Sequence, residues 1–157
     1  MTGFEIAQVN IGRAAGPLDG PVMADFMNWL DEINALADGS PGFVWRLQGD
    51  SGNNTDLKVT SDPLFIINLS VWTSIEALYD FTYRSEHKIV FKRRHEWFER
   101  LGRPTTVLWW QPAGTIPSPQ EALTRLERLT THGPTAEAFT FKQPFPSPAA
   151  DDQEPAA

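Results

Sequence analysis

Leu64-Phe65-Ile66-Ile67-Asn68-Leu69-Ser70-Val71-Trp72 is the stretch whose reading decides the fold. In an extended chain Phe65, Ile67, Leu69 and Val71 fall on one side, and Ile66, Asn68, Ser70 and Trp72 on the other. A period of two in β-branched and aromatic residues predicts a strand. One side is wholly apolar; the other mixes an amide, a hydroxyl and an indole with an aliphatic group. Ser74 follows at the position of a helix N-cap, and Ile75, Leu78, Tyr79 and Phe81 carry the apolar spacing of a helix.

Upstream, Phe4 to Ile11 alternates in the same way, with Ala7, Val9 and Ile11 opposite Gln8 and Asn10. Asp19 and Pro21 are suited to starting a helix over Val22 to Ala37, striped by Phe26, Trp29, Leu30, Ile33 and Leu36. Gly39-Ser40-Pro41-Gly42 stops it. Phe43 to Gln48 reads as a second strand, and the polar stretch Gly49 to Asp62 as an exposed loop or loose hairpin.

Downstream, the helix begun at Ser74 is expected to bend near Tyr83 to Ser85 and resume through His87, Val90, Phe91, Trp97 and Phe98. Gly102 and Pro104 close it, and Thr105 to Gln111 is a fourth strand. A short helix, Pro119 to Thr130, follows, and Ala138-Phe139-Thr140-Phe141 reads as an edge strand or arm. The order β-α-β-β-α-β predicts a ferredoxin-like α+β domain with a four-stranded antiparallel sheet and an extra C-terminal helix. One domain over residues 1–142 is expected, followed by a disordered, Pro-rich acidic tail at 143–157.

Composition narrows the partners. The chain has 157 residues, 41% hydrophobic and 21% charged, with a formal net charge of -7. Nucleic acid is not an expected partner of such a chain. The basic cluster Lys92-Arg93-Arg94-His95 lies within a helical pattern and reads as a solvated face. Cysteine is absent, which removes disulfides, thiolate metal sites and a thiol nucleophile. No apolar run of about 18 residues predicts a membrane span, and no signal peptide is readable, so a cytoplasmic location is expected. There is no Gly-rich phosphate loop, nucleophile elbow or metal-spaced histidine pair.

The two sheet faces carry the functional expectation. The apolar face, with Phe43, Trp45 and Leu47 from the second strand, is expected to pack on the two helices. The opposite face gathers Gln8, Asn10, Val44, Arg46, Gln48, Ile66, Asn68, Ser70 and Trp72, with Trp109 or Trp110 from the last strand. Such a mixture suits neither open water nor a dry core. A dimer seam that pairs its polar groups, or a partly wet ligand cavity, would satisfy it, and a second copy is expected to shield it.

Several separated motifs then carry a resemblance. Gly42-Phe43-Val44-Trp45-Arg46-Leu47, Asn68-Leu69-Ser70-Val71-Trp72, Arg94-His95-Glu96-Trp97-Phe98, Leu108-Trp109-Trp110-Gln111-Pro112-Ala113-Gly114 and Gly133-Pro134-Thr135 through Phe141 resemble the bacterial family named domain of unknown function 3291. The likeness spans about Phe4 to Phe145. It implies the dimeric α/β-barrel superfamily and a homodimer. That superfamily includes cofactor-independent antibiotic-biosynthesis-type monooxygenases, haem-degrading enzymes, polyketide cyclases and isomerases. The monooxygenases often end the third strand on Trp, then place a short helix and a His. Trp72, with Asn68 four residues before it and His87 after the helix, is similar to that pattern. The last two strands, rebuilt around Trp109-Trp110, depart from it.

His87 is the leading candidate for chemistry: a neutral imidazole can move a proton near pH 7 or ligate a haem iron, and can equally be a helix histidine bonded within the core. Arg46 and Asn68, with Trp72 as a wall, join it as catalytic candidates; Asn10, Gln8, Tyr83, Phe91 and Trp110 are the expected substrate contacts. Amides and a guanidinium can hold an enolate or phenolate oxygen. For Arg46 the alternative is an ion pair with a partner subunit. The expected ligand is small, apolar and oxygenated, with no required cofactor, haem being the alternative. A non-catalytic dimer, its polar face used only as an interface, is the third reading.

Overall fold

The computed structural model describes residues 3–48, 62 and 64–148. Its elements run β1 (Phe4–Arg13), α1 (Ala24–Asp38), β2 (Phe43–Arg46), β3 (Phe65–Trp72), α2 (Ile75–Tyr79), a π-helical turn (Asp80–Arg84), α3 (His87–Lys92), α4 (Arg94–Trp97), β4 (Thr106–Pro112) and α5 (Pro119–His132). The strands form one antiparallel sheet in the order β2-β3-β1-β4, the ferredoxin-like arrangement. The expected loop at 49–62 lies outside the described residues apart from Asp62, as do tail residues 149–157.

Local chemistry explains the element ends. Ser74 Oγ accepts the Ala77 N–H at 3.1 Å and starts α2; Ser118 Oγ does the same for Glu121 at α5. The start of α1 differs from expectation: Met23, not Asp19, is the N-cap, and no side chain caps the helix. Met23 is fully buried, so packing rather than a cap fixes this end. The bend expected at Tyr83 to Ser85 is the exit of the π-helical turn, where Ser85 takes an extended conformation.

The covers of the two sheet faces are the reverse of expectation. Ala7, Val9, Ile11, Ile67, Leu69, Val71, Val107 and Trp109 form the apolar face, and α5 seals it with Ala122, Leu126 and Leu129. The extra C-terminal helix therefore closes the core. The mixed face lies under α1 and the α2–α4 segment of the same chain. Its ends are apolar: Ile6, Trp72 and Leu108 cluster with Ala37 and Leu78, while Ile66 clusters with Phe26, Leu30 and Trp97. Between these clusters the amides of Gln8, Asn10 and Asn68 would be left against hydrocarbon, and the helices stand off them. The chain's own helices thus cover much of this face, while Val44 at its β2 edge stays exposed.

The outer edge of β4 is capped. Leu108 and Phe139 exchange backbone hydrogen bonds of 2.8 and 2.9 Å, so the expected arm is a short bridge. The chain stays tied beyond residue 142: the Trp110 Nε1–H donates to the Phe145 carbonyl at 2.9 Å, and the Phe145 ring lies 5.7 Å from that of Phe139. Among the described residues, no helix is long and apolar enough to cross a membrane.

Candidate functional site

Where the helices stand off the sheet, a cavity of about 900 Å³ opens. That is at the upper end of the usual range for small-molecule sites. Its floor is the polar strip of the sheet, held by one hydrogen-bond network. Asn10 Nδ2 donates to Gln8 Oε1 at 3.1 Å, and Gln8 Nε2 donates to Ser70 Oγ at 2.8 Å and Asn68 Oδ1 at 3.3 Å. Trp72 Nε1 also donates to Ser70 Oγ, at 2.9 Å. Register causes this: Gln8 lies opposite Ser70, and Asn10 opposite Asn68. Each strand alone places one amide; the pairing of β1 with β3 makes the row. The Asn10 side-chain oxygen and the Asn68 amino group keep no protein partner among the described residues.

His87 stands on the opposite wall, at the start of α3. Its backbone N–H donates to Ser85 Oγ at 3.1 Å, while the Ser85 hydroxyl donates to the Phe81 carbonyl. The imidazole Nδ1 lies 3.1 Å from the Thr82 carbonyl oxygen, which can only accept. Nδ1 therefore carries the proton, and Nε2 keeps its lone pair. Burial pushes the imidazole pKa below its ordinary value, and the Thr82 carbonyl opposes that in part. The ring is thus a neutral base at pH 7.

An aromatic row joins the walls. Phe81 stacks on Trp72 with centroids 5.1 Å apart and lies 4.9 Å from the His87 ring. Tyr83 packs edge-on against Phe91 and Phe141, each at 5.5 Å, and burial raises its phenol pKa.

His87, Asn68, Arg46, Trp72, Asn10, Gln8, Tyr83 and Phe91 all line the cavity. Trp110 does not, contrary to expectation: its indole is turned to Phe145 at the β4 edge. Nor does Trp109, which is buried on the other face under the Arg125 guanidinium. Arg46 has an acidic partner within its own chain, donating to Asp38 Oδ1 at 2.8 Å and Oδ2 at 3.3 Å.

Ser70, Phe81, Thr82 and Asn34 are among the lining residues that the sequence reading does not name as site candidates. Ser70 was legible as part of the mixed face. Asn34 had a signal too, since it follows Leu30 by four residues and so breaks the apolar stripe of α1. Its Nδ2 is buried with no hydrogen-bond partner. Thr82 acts through its backbone, which no side-chain pattern reports.

Among the described residues no group of three or more His, Cys, Asp or Glu side chains could hold a metal ion. A haem would find a candidate ligand in His87, with Thr82 supplying the orienting hydrogen bond that ligating histidines usually make.

No curated protein matches the chain. Solved structures with a similar course share little sequence. A protein of unknown function from Nitrosomonas europaea is 10% identical with a TM-score of 0.48, over 74% of this chain and 95% of that one. A protein from Pseudomonas aeruginosa is 14% identical with a TM-score of 0.45, over 73% and 97%. SnoaB, a cofactor-independent oxygenase from Streptomyces nogalater, is 14% identical with a TM-score of 0.46, over 74% and 98%. Family membership comes from the sequence itself: residues 5–155 match the domain of unknown function DUF3291, and the chain belongs to that family.

Proposed function

We propose that the chain is a small-molecule enzyme that oxidises an activated phenol or enol with dioxygen and without a cofactor. One observation carries this reading: a neutral, tautomer-fixed His87 and an amide row line the same cavity, with Trp72 and Phe81 between them. The Trp72-to-His87 spacing, similar to that of the antibiotic-biosynthesis-type monooxygenases, supports it. Isomerisation or cyclisation would use the same first step.

In that step His87 Nε2 takes the proton of the substrate hydroxyl. Donors from Asn68 and Asn34 hold the resulting oxyanion. The electron-rich anion passes one electron to dioxygen, and the radical pair combines at a ring carbon as a peroxide. The peroxide recovers the proton from His87. Loss of the C–H proton with cleavage of the O–O bond then releases water and leaves a new carbonyl. Trp72 and Phe81 wall the ring, and Arg46, already paired with Asp38, braces the floor.

The working form in this reading is a cytoplasmic homodimer, as the family resemblance implies. Because one chain covers both sheet faces, a second copy would add to the cavity's walls rather than complete its floor. Sedimentation velocity reads the oligomeric state.

The test is dioxygen uptake with a panel of polycyclic phenols and enolisable ketones, with no metal, flavin or haem added. Uptake is expected with wild type and should fall at least about a hundredfold in His87→Ala. Equal uptake by both proteins would sink the role of His87. Hemin titration tests the competing reading: a Soret band that vanishes in His87→Ala would make the protein a haem binder.

A further inference from the structure

The exposed part of the cavity lining is cationic. Apart from Tyr83 and Gly102, its exposed residues are Arg94, His95, Arg100, Arg103, Lys142 and Glu99. Glu99 is taken by Arg13, which also binds Asp62 at 2.7 Å. Four permanent cations are therefore left around the opening, in a chain whose net charge is -7.

The pairing of arginines sharpens the contrast. Arg13, Arg46, Arg84, Arg93, Arg125 and Arg128 each have a carboxylate partner. Arg94, Arg100 and Arg103 have none among the described residues, and all three line the cavity. Arg94 is nevertheless held: its Nη1 donates to the Phe91 carbonyl at 2.8 Å, and its guanidinium lies 4.0 Å over the Phe91 ring. The basic cluster that reads as a solvated helix face thus divides. Arg93 is neutralised by Asp25 and Glu96, while Arg94 faces the opening. Unpaired guanidinium groups at the mouth of a low-dielectric cavity concentrate an anion there.

We infer that the cavity takes an amphiphilic anion: an aromatic body lying between the amide row and His87, with a carboxylate or sulfonate head at Arg94, Arg100, Arg103 and Lys142. This deepens the proposed function and rests on its reading of the cavity as a ligand site. The head group would anchor the molecule without entering the chemistry, which leaves the phenol or enol end to His87.

The test uses two probes with the same aromatic body. One is 8-anilinonaphthalene-1-sulfonate and the other its uncharged analogue N-phenyl-1-naphthylamine, each titrated by its own fluorescence at low ionic strength. Arg100 and Arg103 make no hydrogen bond or ion pair within the described chain, so R100Q/R103Q should fold. It should weaken the sulfonate about fivefold or more and leave the amine within about twofold. The control is K88Q/K92Q, which removes two other cations that have no carboxylate partner among the described residues, neither of them in the cavity lining. It should leave both probes within about twofold. Raised salt should weaken the sulfonate in wild type and much less in R100Q/R103Q. Equal loss in the two double variants, or no loss in R100Q/R103Q, would overturn the anionic head while the amine still reports the cavity. If neither probe binds wild type, the cavity reading falls with it.

Discussion

The imidazole Nδ1 of His87 lies 3.1 Å from the backbone carbonyl oxygen of Thr82, across the exit of the π-helical turn. Single π-helical turns are rare and often lie at functional sites, because the wider turn frees backbone groups from the ladder. Here the turn offers a carbonyl to an imidazole five residues on. A backbone acceptor cannot ionise and cannot be removed by side-chain variation, so it fixes one tautomer over the whole pH range in which the ring is neutral.

The first prediction concerns pH. Burial lowers the pKa of His87 from its ordinary value, so the base form persists to lower pH than for a free histidine. The acid limb of kcat/KM is expected below about pH 6.5, with a plateau at neutral pH. Stability carries the same sign. Between about pH 6.5 and the lower folded value, the unfolded chain binds a proton that the folded chain does not, so stability drops as pH falls through that window. His87→Gln should flatten that slope in urea titrations at successive pH values. An unchanged slope would show that His87 does not titrate there.

A second prediction follows from Ser70. Its buried Oγ accepts from both Gln8 Nε2 and Trp72 Nε1. Ser70→Ala leaves two donors facing a methyl group. A loss of about 2–3 kcal/mol is expected, since each orphaned buried donor costs about 1–3 kcal/mol. The same change should weaken probe binding, because the Gln8 amide loses the shortest of the hydrogen bonds that hold it in the floor. A loss under about 0.5 kcal/mol in chemical denaturation would mean that the network does not hold the floor.

Much of this was legible in the sequence, for identifiable reasons. The alternation in Phe65 to Trp72 fixes which side chains share a face whatever lies above them, and so the amide row could be named. The bend before His87 was readable from the loss of apolar spacing. What covers each face was not readable, because α1 and α5 both carry an apolar stripe, and periodicity does not say which sheet face a stripe meets. The polar break at Asn34 in α1, against the clean Ala122-Leu126-Leu129 stripe in α5, was the available clue. Trp110 was misplaced because alternation puts it on the mixed face but cannot show that Phe145 draws its indole to the edge. The cationic mouth assembles from α4, the following loop and the arm after Phe141, and no local pattern links those segments.

Gly42 supports a third prediction. It sits at φ +83, and a Cβ there would come within 2.5 Å of the Ala77 Cβ and 2.7 Å of Thr73 Oγ1. The turn delivers β2 against the start of α2, where the Thr73 N–H donates to the Gly42 carbonyl at 2.8 Å. Gly42→Ala meets both a backbone penalty of about 1–2 kcal/mol and a backbone shift. A total near 3 kcal/mol is expected. Gly102→Ala has the backbone penalty alone, since nothing lies within 4 Å of its would-be Cβ. Equal losses in the two variants would remove the packing part of the account.

The last prediction tests the seal on the apolar face. Leu126 is 1% exposed and packs in the cluster that contains Val9, Leu69 and Trp109. If α5 closes the core, Leu126→Ala empties a leucine-sized volume between helix and sheet and costs about 2–5 kcal/mol. Glu127→Ala, one position on and exposed, should change stability by no more than about 0.5 kcal/mol. The cavity lies on the opposite side of the sheet, so Leu126→Ala should leave amine probe affinity nearly unchanged at temperatures where the protein is folded. A loss as small as that of Glu127→Ala would mean that α5 rests on the sheet without sealing it. The apolar face would then need another cover.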